Sequence, residues 1–387
     1  MVDSHNIYFN EEHLLLRKMV RDFSNEELKP LAQDIDKNST FPENSIKKIA
    51  DLGLMGIPWS EEYGGAGMDN LSLVIAIEEM AKVCVSTAVT VMAHTSLGSG
   101  PFALFGSKSQ KEKYLPKLSS GKIIGAFGLT EPNAGSDAGN TQTTATLKGE
   151  KFIVNGQKVF CTNAGVAGVI IFTARIIENG EDRGIGALYV DANTKGLRLG
   201  EPEKKMGWKG SDTRSVYFDE MEIPSNHILG QPDKGFKQFL KTLTGGRISI
   251  AALGLGICEA GYQAALKYAT ERDAFGRKIS DFQSIGFKLS DMAMQIEAAK
   301  HLVYNAAYLK DQGKSIIKEA AMAKLFTSEL AMNITTEAIQ IHGGYGYIRE
   351  YNVERFFRDA KILEIGEGTS EVQRIIISRE ILKSLSY

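Results

Sequence analysis

One run of the chain limits the fold more than any other. Ile285, Leu289, Met292, Ile296, Ala299, Val303 and Ala306 recur in alternating steps of four and three. That spacing keeps apolar side chains on one stripe of a long α-helix, and only partner helices can cover such a stripe. It therefore implies a helical bundle, with these residues in its core. Helical periodicity also governs the first part of the chain. Leu14, Leu15, Met19 and Phe23 share a helical spacing, and Phe41-Pro42 opens a helix carrying Ile46, Ile49 and Leu52. The glycine-rich break Tyr63-Gly64-Gly65-Ala66-Gly67 precedes an apolar helix over about 71–84.

Between these regions the period changes. Lys151-Phe152-Ile153-Val154 runs into Asn155-Gly156, a dipeptide suited to a two-residue hairpin turn, and then into Lys158-Val159-Phe160. Residues 169–172, 187–190 and 215–218 are further β-type runs separated by glycine and charged turns. A chain of 387 residues is too long for one core. The expected fold class is α+β: an N-terminal α-helical domain over 1–122, a middle antiparallel β-domain over 123–232, and a C-terminal helical bundle over 233–387.

Charge and composition exclude several functions. The net charge is −2 and there is no basic stripe, so nucleic acid is not an expected partner. Cys84, Cys161 and Cys258 are far apart, and the six histidines form no HxxxH or HExxH pattern, so neither a disulfide framework nor a metal site is expected. The first residues lack the basic and apolar regions of a signal peptide, and no run reaches the roughly 18 apolar residues of a membrane span. A cytoplasmic protein without a membrane partner is the expectation.

Five segments carry candidate chemistry. The first, Gly128-Leu129-Thr130-Glu131-Pro132-Asn133-Ala134-Gly135-Ser136-Asp137, offers small residues and backbone N–H groups to a phosphate. The second is Gly207-Trp208 followed by Ser211-Asp212-Thr213-Arg214. The third, Glu271-Arg272-Asp273-Ala274-Phe275-Gly276-Arg277, holds an arginine able to grip a pyrophosphate. The fourth, Gln340-Ile341-His342-Gly343-Gly344-Tyr345-Gly346-Tyr347, sets two bare glycines after a helix. Taken singly, each reads equally as an ordinary turn, a surface arginine or a helix stop, and His342 as a local packing residue. The fifth is Ile365-Gly366-Glu367-Gly368-Thr369-Ser370-Glu371-Val372-Gln373-Arg374. Thr369 or Ser370 is the expected N-cap of the last helix, with Glu371 in its first turn. Glu367 stands before the cap, between two glycines and beside Ile362, Leu363 and Ile365. A carboxylate in that setting is desolvated, which raises its pKa toward the range of a general base, unless it is simply an exposed loop acid.

In this order and spacing the five segments resemble the acyl-CoA dehydrogenase family, in particular its bacterial short-chain and branched-chain members of the butyryl-CoA dehydrogenase type. The resemblance spans nearly the whole chain and implies that the C-terminal bundle has four helices. It also implies FAD as cofactor. Phe127, Leu129 and Thr130 would contact the flavin ring, Gly135 and Ser136 the pyrophosphate, and Phe160 and Thr162 the flavin's flank; many members carry tryptophan where Phe160 stands. Arg272, Phe275, Gln283, Gln340, Gly343 and Gly344 match residues given to a neighbouring subunit's FAD, and Thr369 and Glu371 match adenosine-side contacts. Glu367 matches the catalytic base. Gly246, beside Arg247, fills the position where some members keep that base instead. Ser136, Arg247, Gly366 and Glu367 would meet the substrate.

The resemblance implies α,β-dehydrogenation of an acyl-CoA, with electrons passed to an electron-transfer flavoprotein by a homotetramer. The short-chain likeness implies a short acyl group, and Gly366, standing where most straight-chain members carry tyrosine, points to a branched or cyclic one. An enoyl-CoA reductase running in reverse and a subunit of an electron-bifurcating complex stay open as alternatives at this stage; typical acyl-CoA oxidases are longer, and the acidic balance and the retained Glu367 speak against a DNA-associated relative.

Overall fold

The computed structural model describes residues 7–383. Seven helices come first: α1 (Glu11–Phe23), α2 (Ala32–Asn38), α3 (Glu43–Asp51), α4 (Asn70–Ala81), α5 (Val85–Met92), α6 (Gly100–Phe105) and α7 (Lys108–Ser119). The amphipathic stripe of α1 differs from the expected one. Leu16 and Val20 are buried, together with His13 and Arg17, whereas Leu14 and Leu15 face outward. The reason is ionic. Arg17 Nε donates to Glu79 at 2.7 Å, its NH2 pairs with Glu78, and Tyr304 OH donates to Glu78 at 2.7 Å. In α3, Ile46 and Ile49 are buried, while Leu52 lies past the helix end and is exposed.

The strands are β1 (Ile124–Gly128), β2 (Thr144–Lys148), β3 (Lys151–Thr162), β4 (Ala167–Glu178), β5 (Glu181–Asp191), β6 (Leu197–Leu199) and β7 (Thr213–Pro224). Their order is β1-β4-β2-β3-β7-β6, with β5 on the other edge of β4. The sheet is mixed rather than wholly antiparallel: β1 and β2 both run parallel to β4, one after the other along the same edge. Sequence pattern explains this. Val169, Ile170, Ile171 and Phe172 form an unbroken apolar run, the mark of a strand covered on both faces. Ile170 and Phe172 pack into the core of the sheet, while Val169 and Ile171 pack toward Phe102, Tyr114 and Phe239.

The hairpin expected at Asn155-Gly156 is not there. The turn falls earlier, at Gly149-Glu150, where Lys148 faces Lys151 and Gly149 has φ +60°. Asn155-Gly156 is instead an irregularity inside β3. Gly156 sits at φ +139°, and a Cβ on it would lie 2.7 Å from Thr143 Cα, so only glycine fits.

The chain continues into α8 (Gly235–Glu271), a short hairpin of β8 (Asp273–Ala274) and β9 (Arg277–Lys278), then α9 (Gln283–Asp311), α10 (Ile317–His342), α11 (Val353–Ala360) and α12 (Ser370–Lys383). The seam of α9 is buried from Leu289 to Ala306, and its first member, Ile285, is half-buried. Helices α8 and α10 pack along each other, with α9 and α12 against α10. By length and composition α8 could cross a membrane, but most of its apolar part is buried inside this fold.

Candidate functional site

The chain leaves α11 through a short turn, Lys361–Glu364, and reaches α12 through Ile365-Gly366-Glu367-Gly368. Thr369 is the N-cap: its Oγ1 accepts from the backbone N–H of Val372 at 3.3 Å. Glu367 has φ +53° and Gly368 φ +95°, so this loop holds a non-glycine residue in left-handed backbone. Side chains from two helices secure that loop. Gln373 Nε2 donates to Gly368 O at 2.9 Å and to Glu367 O at 3.3 Å, and Lys324 Nζ donates to Gly368 O at 2.7 Å. The backbone N–H of Glu367, in contrast, makes no hydrogen bond among the described residues.

Glu367 is half-buried as a residue, yet its Oε2 is shut off from solvent and has no hydrogen-bond partner. Burial pushes its pKa up to about 7, against the opposing pull of Lys324 and Arg247. Lys324, from α10, is itself pushed down to about 8 by burial, with Glu367 pulling the other way. Burial also lowers Arg247, whose NH1 makes only a 3.3 Å hydrogen bond to Thr244 and whose Nε is unsatisfied. Gly246 of α8 faces the carboxylate. A Cβ there would run into Glu367 Oε2 and come within 3.4 Å of Leu97 Cδ2. Leu97 lies on a π-helical turn, Ala93–Ser99. A desolvated carboxyl near neutrality, beside a free backbone donor and two cations, can take a proton from a substrate whose carbonyl the donor polarises.

The other expected residues form two further groups. Near the sheet, Phe127 stacks on Phe239 at 4.2 Å between ring centroids, Leu129 and Thr130 are half-buried, and Gly135 and Ser136 are exposed on the following turn. Phe160 has φ +57° and is 66% exposed, at an irregularity near the end of β3, with Thr162 half-buried beyond it. At the other end of α8 and α10, Arg272, Gly343 and Gly344 line a groove of about 450 Å³ with Tyr268, His342 and Tyr345. Phe275 is the tip of the β8–β9 hairpin at φ +51° and 95% exposed, and Gln283, Gln340 and Glu371 are exposed too. His342 is a packing residue, as expected: its Nδ1 hydrogen-bonds Ala338 O at 2.7 Å and its ring stacks on Tyr268.

Several residues were not foreseen. Lys324 could have been found as a lone cation amid Ala320, Ala321, Met322, Ala323 and Leu325. Lys158 and Glu131 had no such signal. They form a buried pair at 2.6 Å, and Glu131 also accepts from the amides of Gln142 at 2.6 Å and Thr143 at 3.1 Å. Glu131 thus ties both ends of the 131–143 loop to the sheet.

The chain matches the acyl-CoA dehydrogenase N-terminal domain over 10–122, the middle domain over 126–221 and the C-terminal domain over 233–382. This chain belongs to the acyl-CoA dehydrogenase family. It is 50% identical to the probable acyl-CoA dehydrogenase YngJ of Bacillus subtilis, covering 98% of this chain and all of that one. It is 47% identical to a short-chain specific acyl-CoA dehydrogenase of Clostridium acetobutylicum, covering 96% and 98%. The butyryl-CoA dehydrogenase structure from Megasphaera elsdenii superposes with a TM-score of 0.95 at 42% identity, covering 97% and 100%. A structure described under the electron transferring flavoprotein of Acidaminococcus fermentans and flavin-based electron bifurcation gives 0.95 at 44%, covering 97% and 99%. An FAD-complexed acyl-CoA dehydrogenase from Bacillus anthracis gives 0.92 at 33%, covering 98% of this chain and 68% of that one.

The enzyme is therefore an FAD-dependent oxidoreductase. Its residues fit that cofactor. The exposed Phe160 ring offers a stacking face, and Gly343 and Gly344 leave open backbone beside Arg272, with nothing within 4 Å of an added Cβ on either.

Proposed function

We propose that this enzyme dehydrogenates a short, branched or cyclic acyl-CoA to the 2-enoyl-CoA, with Glu367 as the base. The observation that carries this is one residue offering two unused groups: a desolvated carboxylate oxygen and a free backbone N–H. The N–H polarises the thioester carbonyl, and the carboxylate takes the α-proton. Bound FAD supplies the acceptor for the β-hydride. Phe127, Leu129, Thr130, Gly135, Ser136, Phe160 and Thr162 hold the cofactor within one subunit. Arg272, Phe275, Gln283, Gln340, Gly343 and Gly344 serve a neighbour's FAD, and Thr369 and Glu371 meet the adenosine side of the cofactor. Such a bare hairpin tip as Phe275 supports a homotetramer. Ser136 and Arg247 join Glu367 in meeting the substrate. The electron acceptor is an electron-transfer flavoprotein, and the compartment is the cytoplasm.

The acyl preference rests on Gly366. A Cβ there would meet only Ile362 O at 3.4 Å and Ile362 Cγ1 at 3.9 Å, so there is open space where a side chain would start. An α-branch or ring needs such volume beside the reacting carbons. The test compares flavin bleaching by butyryl-, isobutyryl-, 2-methylbutyryl-, isovaleryl- and cyclohexanecarboxyl-CoA for wild type and Gly366→Tyr. Branched or cyclic substrates should lose roughly 10–100-fold in efficiency relative to butyryl-CoA in the tyrosine variant, a pocket effect of about 1–3 kcal/mol. A wild type that strongly prefers butyryl-CoA, with a ranking untouched by tyrosine, would contradict the preference.

A further inference from the structure

Lys324 presents a problem that packing does not solve. It is fully buried in the N-terminal third of α10, among alanines and other apolar residues. Burying an ammonium is costly, and a methionine would fill the same space. Its ammonium makes one hydrogen bond among the described residues, to Gly368 O at 2.7 Å. That carbonyl already accepts from Gln373 Nε2 at 2.9 Å, so it would stay satisfied without the lysine. Capping the loop does not account for the charge.

The position of the charge does. Gly368 is the residue after Glu367, so fixing its carbonyl fixes the ammonium beside the carboxylate. Yet the two form no ion pair: Oε2 of Glu367 stays without a partner. A direct pair would block the oxygen that must receive the proton. An unpaired cation nearby favours the ionised carboxylate while leaving it free. The charges acting on Glu367 are Arg247 from α8 and Lys324 from α10; those acting on Lys324 include Glu364 of the preceding turn and Glu371 of α12. Glu364 is paired with Lys361 at 2.5 Å, and Glu371 is exposed, so neither neutralises Lys324 at close range.

We propose that Lys324 is a positioning residue for the base: the Gly368 carbonyl holds its ammonium in place, and its charge keeps Glu367 ionised and unpaired near neutral pH. This rests on the reading of Glu367 as the base. Burial, which drives Glu367 up to about 7, is the larger influence, and Lys324 the first of the two opposing ones. Because the base must be ionised, kcat/KM of wild type should rise as pH climbs through about 7.

The test uses the flavin-loaded enzyme and two variants. Lys324→Gln keeps a donor for Gly368 and loses the charge; Lys324→Arg keeps the charge. Glu367 is titrated by infrared difference spectroscopy of its carboxyl band, with Glu367→Gln as the blank, and the acid limb of kcat/KM is measured alongside. Lys324→Gln should move both transitions up by about one pH unit, and Lys324→Arg should restore them. Lys324→Met, compared in the same way, separates loss of charge from loss of the donor: it should match the glutamine variant. A flavin-loaded glutamine or methionine variant in which Glu367 titrates at the wild-type pH overturns the proposal. The infrared titration needs no acyl-CoA, so it decides the role of Lys324 even where a failed substrate panel would sink the proposed reaction.

Discussion

Removing the buried ammonium of Lys158 should be one of the most damaging single changes in the sheet. Lys158 is fully buried and Glu131 nearly so, and their 2.6 Å pair is joined by hydrogen bonds from Lys158 to Thr173 Oγ1 at 2.9 Å and Leu129 O at 3.3 Å. Breaking a buried pair by deleting one partner costs about 3–5 kcal/mol. In Lys158→Met the carboxylate keeps the amides of Gln142 and Thr143, which moves the expected loss to the lower end, about 3 kcal/mol. Those same amides disfavour protonation, so Glu131 cannot neutralise itself cheaply. Glu131→Gln should cost less, about 1–2 kcal/mol, because burial already lowers the Lys158 pKa and the lysine can give up its proton. The double variant should cost little more than Glu131→Gln, giving a coupling of about 2 kcal/mol in the cycle. Urea unfolding supplies the energies, and hydrogen exchange at Gln142 and Thr143 reports the loop. A coupling under about 0.5 kcal/mol, with both amides equally protected in all variants, would refute the reasoning.

Gly246→Ala should retain fold and flavin but slow substrate-dependent bleaching roughly 100-fold, since the new methyl forces the Glu367 carboxylate aside and a misplacement of about 1 Å costs about that much; an unchanged single-turnover rate would show that the carboxylate has another place to work from. Arg272→Ala should weaken flavin retention and subunit association together, read by absorbance and light scattering, and a fully flavinylated, unchanged oligomer would count against its reach to a neighbour's cofactor.

The long-range outline was legible because it is written in periodicity. The α9 seam and the β4 run each report how many faces are covered, and burial of that kind is nearly all the sequence has to say about fold. What the pattern could not show is where a polar residue turns inward. On α1, Arg17 reaches Glu78 and Glu79, so the buried face is rotated away from Leu14 and Leu15. Asn155-Gly156 has the chemistry of a turn, but the close approach of Thr143 uses the glycine for a different end. The candidate base stood out in its glycine-flanked setting before the last helix, but only the family resemblance set it apart from an exposed loop acid. Its surroundings were not: Lys324 lies on α10, and Gly246 and Arg247 on α8, far away in the chain, and only the folded bundle brings them to one carboxylate.

The most direct test of Glu367 as the base is anaerobic mixing of flavin-loaded Glu367→Gln with whichever acyl-CoA bleaches the wild type. Glutamine keeps the shape and the backbone donor but cannot take the proton. The variant should bind FAD normally and bleach at least roughly 1,000-fold more slowly, about 4 kcal/mol of barrier at 1.4 kcal/mol for each factor of ten. Bleaching at more than about a tenth of the wild-type rate, a change of under 1.4 kcal/mol, would mean that some other group removes the α-proton.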